Sequence, residues 1–89
     1  MKKYKVKYTR RALRVLKKMD PPIGLMIAGW VRQHLEDCEN PRTFGKALTG
    51  DLKGLWRYRA GDYRIIAEIK DDEILILIVD GGHRGRVYR

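Results

Sequence analysis

Residues suited to phosphodiester chemistry fall in two short stretches of this chain. Arg57, Arg59 and Arg64 lie within Trp56-Arg57-Tyr58-Arg59-Ala60-Gly61-Asp62-Tyr63-Arg64; His83, Arg84, Arg86 and Tyr88 lie within Gly81-Gly82-His83-Arg84-Gly85-Arg86-Val87-Tyr88-Arg89. A guanidinium, charged at any physiological pH, grips phosphate oxygens through a forked pair of hydrogen bonds and spreads charge that develops on them. An imidazole exchanges protons near neutrality. A phenol can stack on a base or orient a hydroxyl. These are the parts needed for RNA cleavage by attack of a 2′-hydroxyl on the adjacent phosphate. No cluster of carboxylates or of Cys and His at ligand spacing points to a metal, so the chemistry is expected to need neither metal nor cofactor. His83 is the conventional proton acceptor beside the arginines.

Positioning these groups requires a hairpin. Gly61-Asp62 suits a two-residue turn of the II′ kind, since Gly accepts the positive φ at its first central position. The resulting register sets Ala60 opposite Tyr63, Arg59 opposite Arg64, Tyr58 opposite Ile65 and Arg57 opposite Ile66. Trp56, Tyr58, Tyr63, Ile65 and Ala67 then share a face assigned to the core, and Arg57, Arg59 and Arg64 share the other. Directly opposed like charges are mildly unfavourable. A solvated face whose Arg stems cover Ile66 and Leu55 is the bland explanation; three arginines together favour an anion site. The glycines after Asp80 are expected to turn the chain back, carrying His83, Arg84 and Tyr88 to the Arg face.

The rest of the chain supplies the scaffold. Tyr4, Val6 and Tyr8 alternate with Lys3, Lys5 and Lys7, a half-buried strand with a wet basic side. Thr9 is placed to cap a helix over 10–19, where Ala12, Leu13 and Leu16 recur at helical spacing. Asp20-Pro21-Pro22 ends it and starts a second helix, with Asp20 as cap and Ile23, Ile27, Trp30, Val31 and Leu35 near one face. His34 reads as a surface or helix-packing residue, and Trp30 and Trp56 as core. From 40 to about 54 the glycines and Pro41 predict a loop. Strands are expected at about 55–60, 63–70 and 73–79, with Asp71-Asp72 as the last turn; 74–79 is apolar throughout and so central and covered on both faces. The fold class is α+β, in the order β-α-α-β-β-β: a helical hairpin on a twisted, mainly antiparallel, four-stranded sheet.

Length and charge bound the partners. The 89 residues make one domain, 1–89, with one modest core. Twenty Lys and Arg against 11 Asp and Glu give a formal charge of +9, which points to polyanions. The single cysteine, Cys38, excludes an internal disulfide and fits a reducing cytoplasm. No apolar run is long enough to span a bilayer, and the basic start lacks the apolar segment of a signal peptide. No membrane partner is expected.

With the residues laid out, the chain resembles the RelE/ParE superfamily of toxins from type II toxin–antitoxin pairs, on the RelE side. The resemblance runs over nearly the whole chain and rests on the element order, Leu52-x-Gly54-Leu55-Trp56-x-x-Arg59, Gly61-Asp62-Tyr63-Arg64-Ile65-Ile66, and Gly82-His83-Arg84 with Val87-Tyr88. It implies a RelE-like fold and a toxin that enters the ribosomal A site, cuts mRNA there, and is held by a cognate antitoxin in a hetero-oligomer. Arg64 matches the family's phosphate and transition-state position, Arg84 the basic residue acting on the leaving group, and Tyr88 the terminal aromatic that stacks on the scissile nucleotide. Arg57 stands where RelE toxins commonly have Lys, and Leu55 where they have a second Lys. Base duty would pass to His83 or to Lys53. Lys53, Arg59 and Arg86 would bind the RNA backbone.

Two other functions fit the same fold: a ParE-like inhibitor that binds DNA gyrase without chemistry, and a basic RNA-binding homologue lacking activity. Arg64, His83, Arg84 and Tyr88 together favour the ribonuclease.

Overall fold

A strand opens the chain because Val6 and Tyr8 have an apolar surface to cover. The computed structural model describes residues 2–83, beginning with β1 (Lys5–Tyr8), α1 (Arg10–Lys18) and α2 (Pro21–His34). Thr9 caps α1 as expected, its hydroxyl accepting from the Ala12 N–H at 3.1 Å. Asp20 holds the N-cap position of α2, but its side chain makes no capping bond. The reason is local: Pro21 and Pro22 have no N–H to cap, and the Asp20 backbone carbonyl takes the Ile23 and Gly24 N–H groups instead.

The sheet follows: β2 (Lys46–Ala47), β3 (Trp56–Ala60), β4 (Tyr63–Lys70) and β5 (Leu75–His83), with single 3₁₀ turns at Gly50–Leu52 and Asp71–Glu73. Its order is β1-β5-β4-β3-β2. β1 runs parallel to β5, and every other pair is antiparallel. The expected four-stranded sheet thus has a fifth strand, β2, too short to show as a periodic pattern and held by Lys46 opposite Arg57 and Ala47 opposite Trp56.

The helices cover one face of this sheet. Tyr58, Ala60, Ile65, Ala67, Ile76 and Ile78 from the strands meet Ala12, Ile27, Val31 and Leu35 from the helical layer, all buried. At roughly 25 cal/mol per Å² of apolar surface removed from water, this cluster is the main favourable term for folding. Tyr58 is fully buried, and its hydroxyl donates to the Pro41 carbonyl at 2.7 Å. Burial pushes the Tyr58 phenol well above its usual pKa, so it remains a neutral donor.

β5 departs from its expected form. It lies inside the sheet, between β1 and β4, but Ile76 and Ile78 are buried while Leu75, Leu77 and Val79 are only half-buried. One face is sealed, not two, because helices pack on one side only. Nor does the strand end at 79. It continues through Asp80-Gly81-Gly82 to His83, paired with β4 throughout, so these glycines extend the ladder where a reversal was expected. The register slips once, between Ile66 and Ala67: Ala67 faces Ile78 and Ile66 faces Asp80, leaving Val79 as the extra residue of a β-bulge. Asp80, 5% exposed, is bound by the Arg11 guanidinium at 3.1 Å and accepts the Gly81 N–H.

Candidate functional site

The hairpin has the register read from its sequence. Gly61 takes φ +61° at the turn. Arg57 opposes Ile66 and Arg59 opposes Arg64. Opposed residues project from the same side of a sheet, and next neighbours in one strand from opposite sides. Arg57, Arg59 and Arg64 therefore share the face away from Tyr58 and Ile65. Ile66 beneath them is only 2% exposed although it belongs to no part of the helix-packed core cluster.

Arg64 is the most constrained of the three. It is half-buried, and its Nε atom is buried with no hydrogen-bond partner among the described residues. A buried donor left unpaired costs about 1–3 kcal/mol, and more when charged. Its cross-strand neighbour on the β5 side is Gly82, which places no side chain over it. The guanidinium thus sits beside Arg59 on one flank and an open glycine on the other. An anion at this point would satisfy the orphaned donor and relieve the opposed charges together.

A fourth cation joins this face. Lys46 opposes Arg57 across β2 and β3, in a stretch read from sequence as loop. Its strand is held by contacts from distant parts of the chain. The Trp56 indole donates to the Phe44 carbonyl at 2.7 Å. Arg42 makes a bidentate pair with Asp71 at 3.0 and 2.9 Å, and the Tyr4 hydroxyl donates to the same carboxylate at 2.7 Å. Those bonds hold the Asp71 carboxyl down at about 2. Gly45, at φ +82°, lies so close to β3 that a Cβ there would fall 2.2 Å from the Arg57 carbonyl oxygen, so only glycine allows this approach. Trp30, Phe44, Gly45, Lys46, Arg57 and Arg59 line a cleft of about 270 Å³.

A family model described as the ParE toxin of the type II toxin–antitoxin system, parDE, matches residues 6–88. The chain belongs to that family. It is 31% identical over 86 residues to the toxin RelG of Mycobacterium tuberculosis, covering 97% of both chains, and 34% identical over 86 residues to the toxin RelE of the same organism, covering 97% of this chain and 87% of that one. Among solved structures, the toxin–antitoxin complex RelBE2 of M. tuberculosis superimposes with a TM-score of 0.82 at 29% identity, covering 94% of each chain. This ParE-family toxin therefore has RelE-like architecture and RelE-named relatives.

Among the described residues, the structure does not set His83 beside Arg57, Arg59 and Arg64. His83 opposes Tyr63, and the two rings meet edge to face at 5.3 Å. Tyr63 packs against the core, so this pair stands on the helix-covered side while Arg64 and Gly82 stand on the other. The bulge decides it: one extra residue in β5 reverses which of the following residues faces which way. Lys53 is exposed just after the Gly50–Leu52 turn. Arg84, Arg86 and Tyr88 lie outside the described residues. His34 stacks on Trp30 at 4.4 Å between ring centroids and bonds the Trp30 carbonyl through Nδ1 at 2.9 Å, consistent with helix packing. Trp30 and Trp56 flank the core, half-buried.

Lys46, Phe44 and the Arg42–Asp71 pair escaped the sequence reading. The only local trace of β2 is Gly45-Lys46-Ala47-Leu48 between two glycine-marked bends. Asp71 gave a turn signal and nothing more, because its partners lie far away in the chain.

Proposed function

We propose that this chain is the toxin of a toxin–antitoxin pair and acts as a ribosome-dependent endoribonuclease on mRNA in the A site, inhibiting translation. The observation that carries the reading is the Arg64 guanidinium, half-buried on an arginine face with an Nε that has no partner among the described residues. A phosphodiester is the anion suited to that place in a protein of charge +9. As the 2′-hydroxyl loses its proton to a base and attacks the adjacent phosphorus, the bond to the 5′-oxygen breaks, leaving a 2′,3′-cyclic phosphate and a 5′-hydroxyl. Arg64 and Arg57 take the charge developing on the phosphate oxygens, and Arg59 and Lys53 hold neighbouring phosphates. Arg84, Arg86 and Tyr88 keep the roles that the family resemblance implies for them. RelE-named relatives support the ribonuclease, and the RelBE2 complex supports a cognate antitoxin bound as a hetero-oligomer. The ribosome places the activity in the cytoplasm.

A second reading has its own support. The matching family model is named for ParE, and His83 is turned towards Tyr63, so its imidazole does not face Arg64. A ParE-like inhibitor of DNA gyrase needs no proton acceptor. Mapping cleavage ends on a translated message, with and without ribosomes, separates the two. The ribonuclease cuts within codons only when ribosomes are present, and Arg64→Ala lowers cutting by about 10²–10³-fold, as for loss of one transition-state donor. An uncut message together with blocked supercoiling overturns it in favour of the gyrase inhibitor.

A further inference from the structure

We propose that the cleft beside Phe44, bordered by Trp30, Lys46, Arg57 and Arg59, is a nucleobase subsite, holding one unpaired base of single-stranded RNA against the Phe44 ring while Lys46 and Arg59 take the flanking phosphates. The inference rests on the RNA reading above and extends it to a second place on the protein.

Phe44 is 40% exposed, yet it is not a loosely held apolar side chain. Its own carbonyl is fixed by the Trp56 indole, the next residue is a glycine pressed against β3, and the segment before it is tied down at Arg42 and Pro41. Its ring meets Trp30 at 6.1 Å and His34 at 5.2 Å, edge to face in both cases. Several distant elements therefore converge to hold the backbone that presents this aromatic ring at the surface. An aromatic needed only for burial would be turned inward.

Cations border the same cleft. Lys46, Arg57 and Arg59 line it together with the two aromatic rings. Positive charge following a backbone, interleaved with rings on which bases stack, is the arrangement that single-stranded nucleic acid selects. At about 270 Å³ the cleft falls just below the roughly 300–1,000 Å³ of pockets for drug-sized ligands. That volume suits a single nucleobase. Every base has a π-face, so this subsite holds the strand with little regard for sequence.

The test measures binding of the full chain to a 2′-O-methyl oligoadenylate, which cannot be cut through its 2′-hydroxyl, and to an abasic strand of equal length. Phe44→Ala should weaken oligoadenylate binding about 5- to 100-fold and leave the abasic strand unchanged. Phe44→Leu, which keeps apolar volume and so protects the fold, should lose a comparable factor, and Phe44→Tyr should retain affinity. Lys46→Ala should weaken both strands equally and reduce the log–log salt slope by about 0.7. Equal losses on both strands with Phe44→Leu, or no loss on either, overturn the subsite. Ribosomal message cutting is scored separately. Base-dependent binding without cutting sinks the nuclease alone; cutting with binding indifferent to Phe44 sinks the subsite alone.

Discussion

Along the β3–β4 hairpin, Tyr58, Ala60, Ile65 and Ala67 are sealed beneath the helices, while Arg57, Arg59 and Arg64, their immediate neighbours in the chain, stand on the far side of the same strands. The first group satisfies every polar atom it buries: even the Tyr58 hydroxyl has the Pro41 carbonyl. The second group puts two guanidiniums opposite each other and leaves a buried donor without a partner among the described residues. The strands are identical and the backbone bonds are shared, so the contrast comes from side chains alone. One face is optimised for its own stability and the other is left incomplete, and the incomplete one is where a ligand has something to gain.

Substitutions across the two faces should differ in sign as well as size. Tyr58→Ala opens a cavity in the core and strands the Pro41 carbonyl; unfolding in denaturant should show a loss of about 3–5 kcal/mol. Arg64→Ala, which lowers message cutting by about 10²–10³-fold in the ribonuclease reading, should leave that midpoint unchanged or raise it, because it removes a buried donor with no partner among the described residues. A destabilisation close to that of Tyr58→Ala would mean that Arg64 is structural.

Smaller effects test what holds the cleft. Asp71 has its folded pKa drawn down to about 2 by the Arg42 and Tyr4 hydrogen bonds, against about 3.9 in the unfolded chain. Its contribution is present above pH 4 and lost as the pH falls through 2. The carboxylate side chain is 55% exposed, so solvent screening limits the size to about 0.2–1 kcal/mol. Comparing acid unfolding of the parent and Asp71→Asn should show that acid-sensitive increment only in the parent. Smallest of all, Arg59→Gln removes the direct opposition to Arg64 and should stabilise by a few tenths, about 0.2–0.5 kcal/mol, at low salt. The gain should fade at high salt.

The hairpin was legible because its causes are local: a Gly-Asp turn fixes the register, and the period-two pattern fixes the faces. The helical hairpin and its Thr9 cap were legible for the same reason. What escaped notice depends on distant partners. β2 exists because Lys46 and Ala47 meet β3, and Asp71 matters because Tyr4 and Arg42 reach it. The bulge at Val79 was invisible because 74–79 is apolar at every position, leaving no alternation to break. That single unseen residue separates His83 from Arg57, Arg59 and Arg64.

The parallel pairing of β1 with β5 sets when this protein can exist at all. Lys5 finds its place beside Leu75 and Tyr8 beside Ile78, so about 70 further residues must be made before β1 gains its strand partner. Until then its backbone groups stay wet and the helices have half a floor to rest on. A fragment ending before Leu75 lacks the strand on which β1 lies and cannot close this sheet.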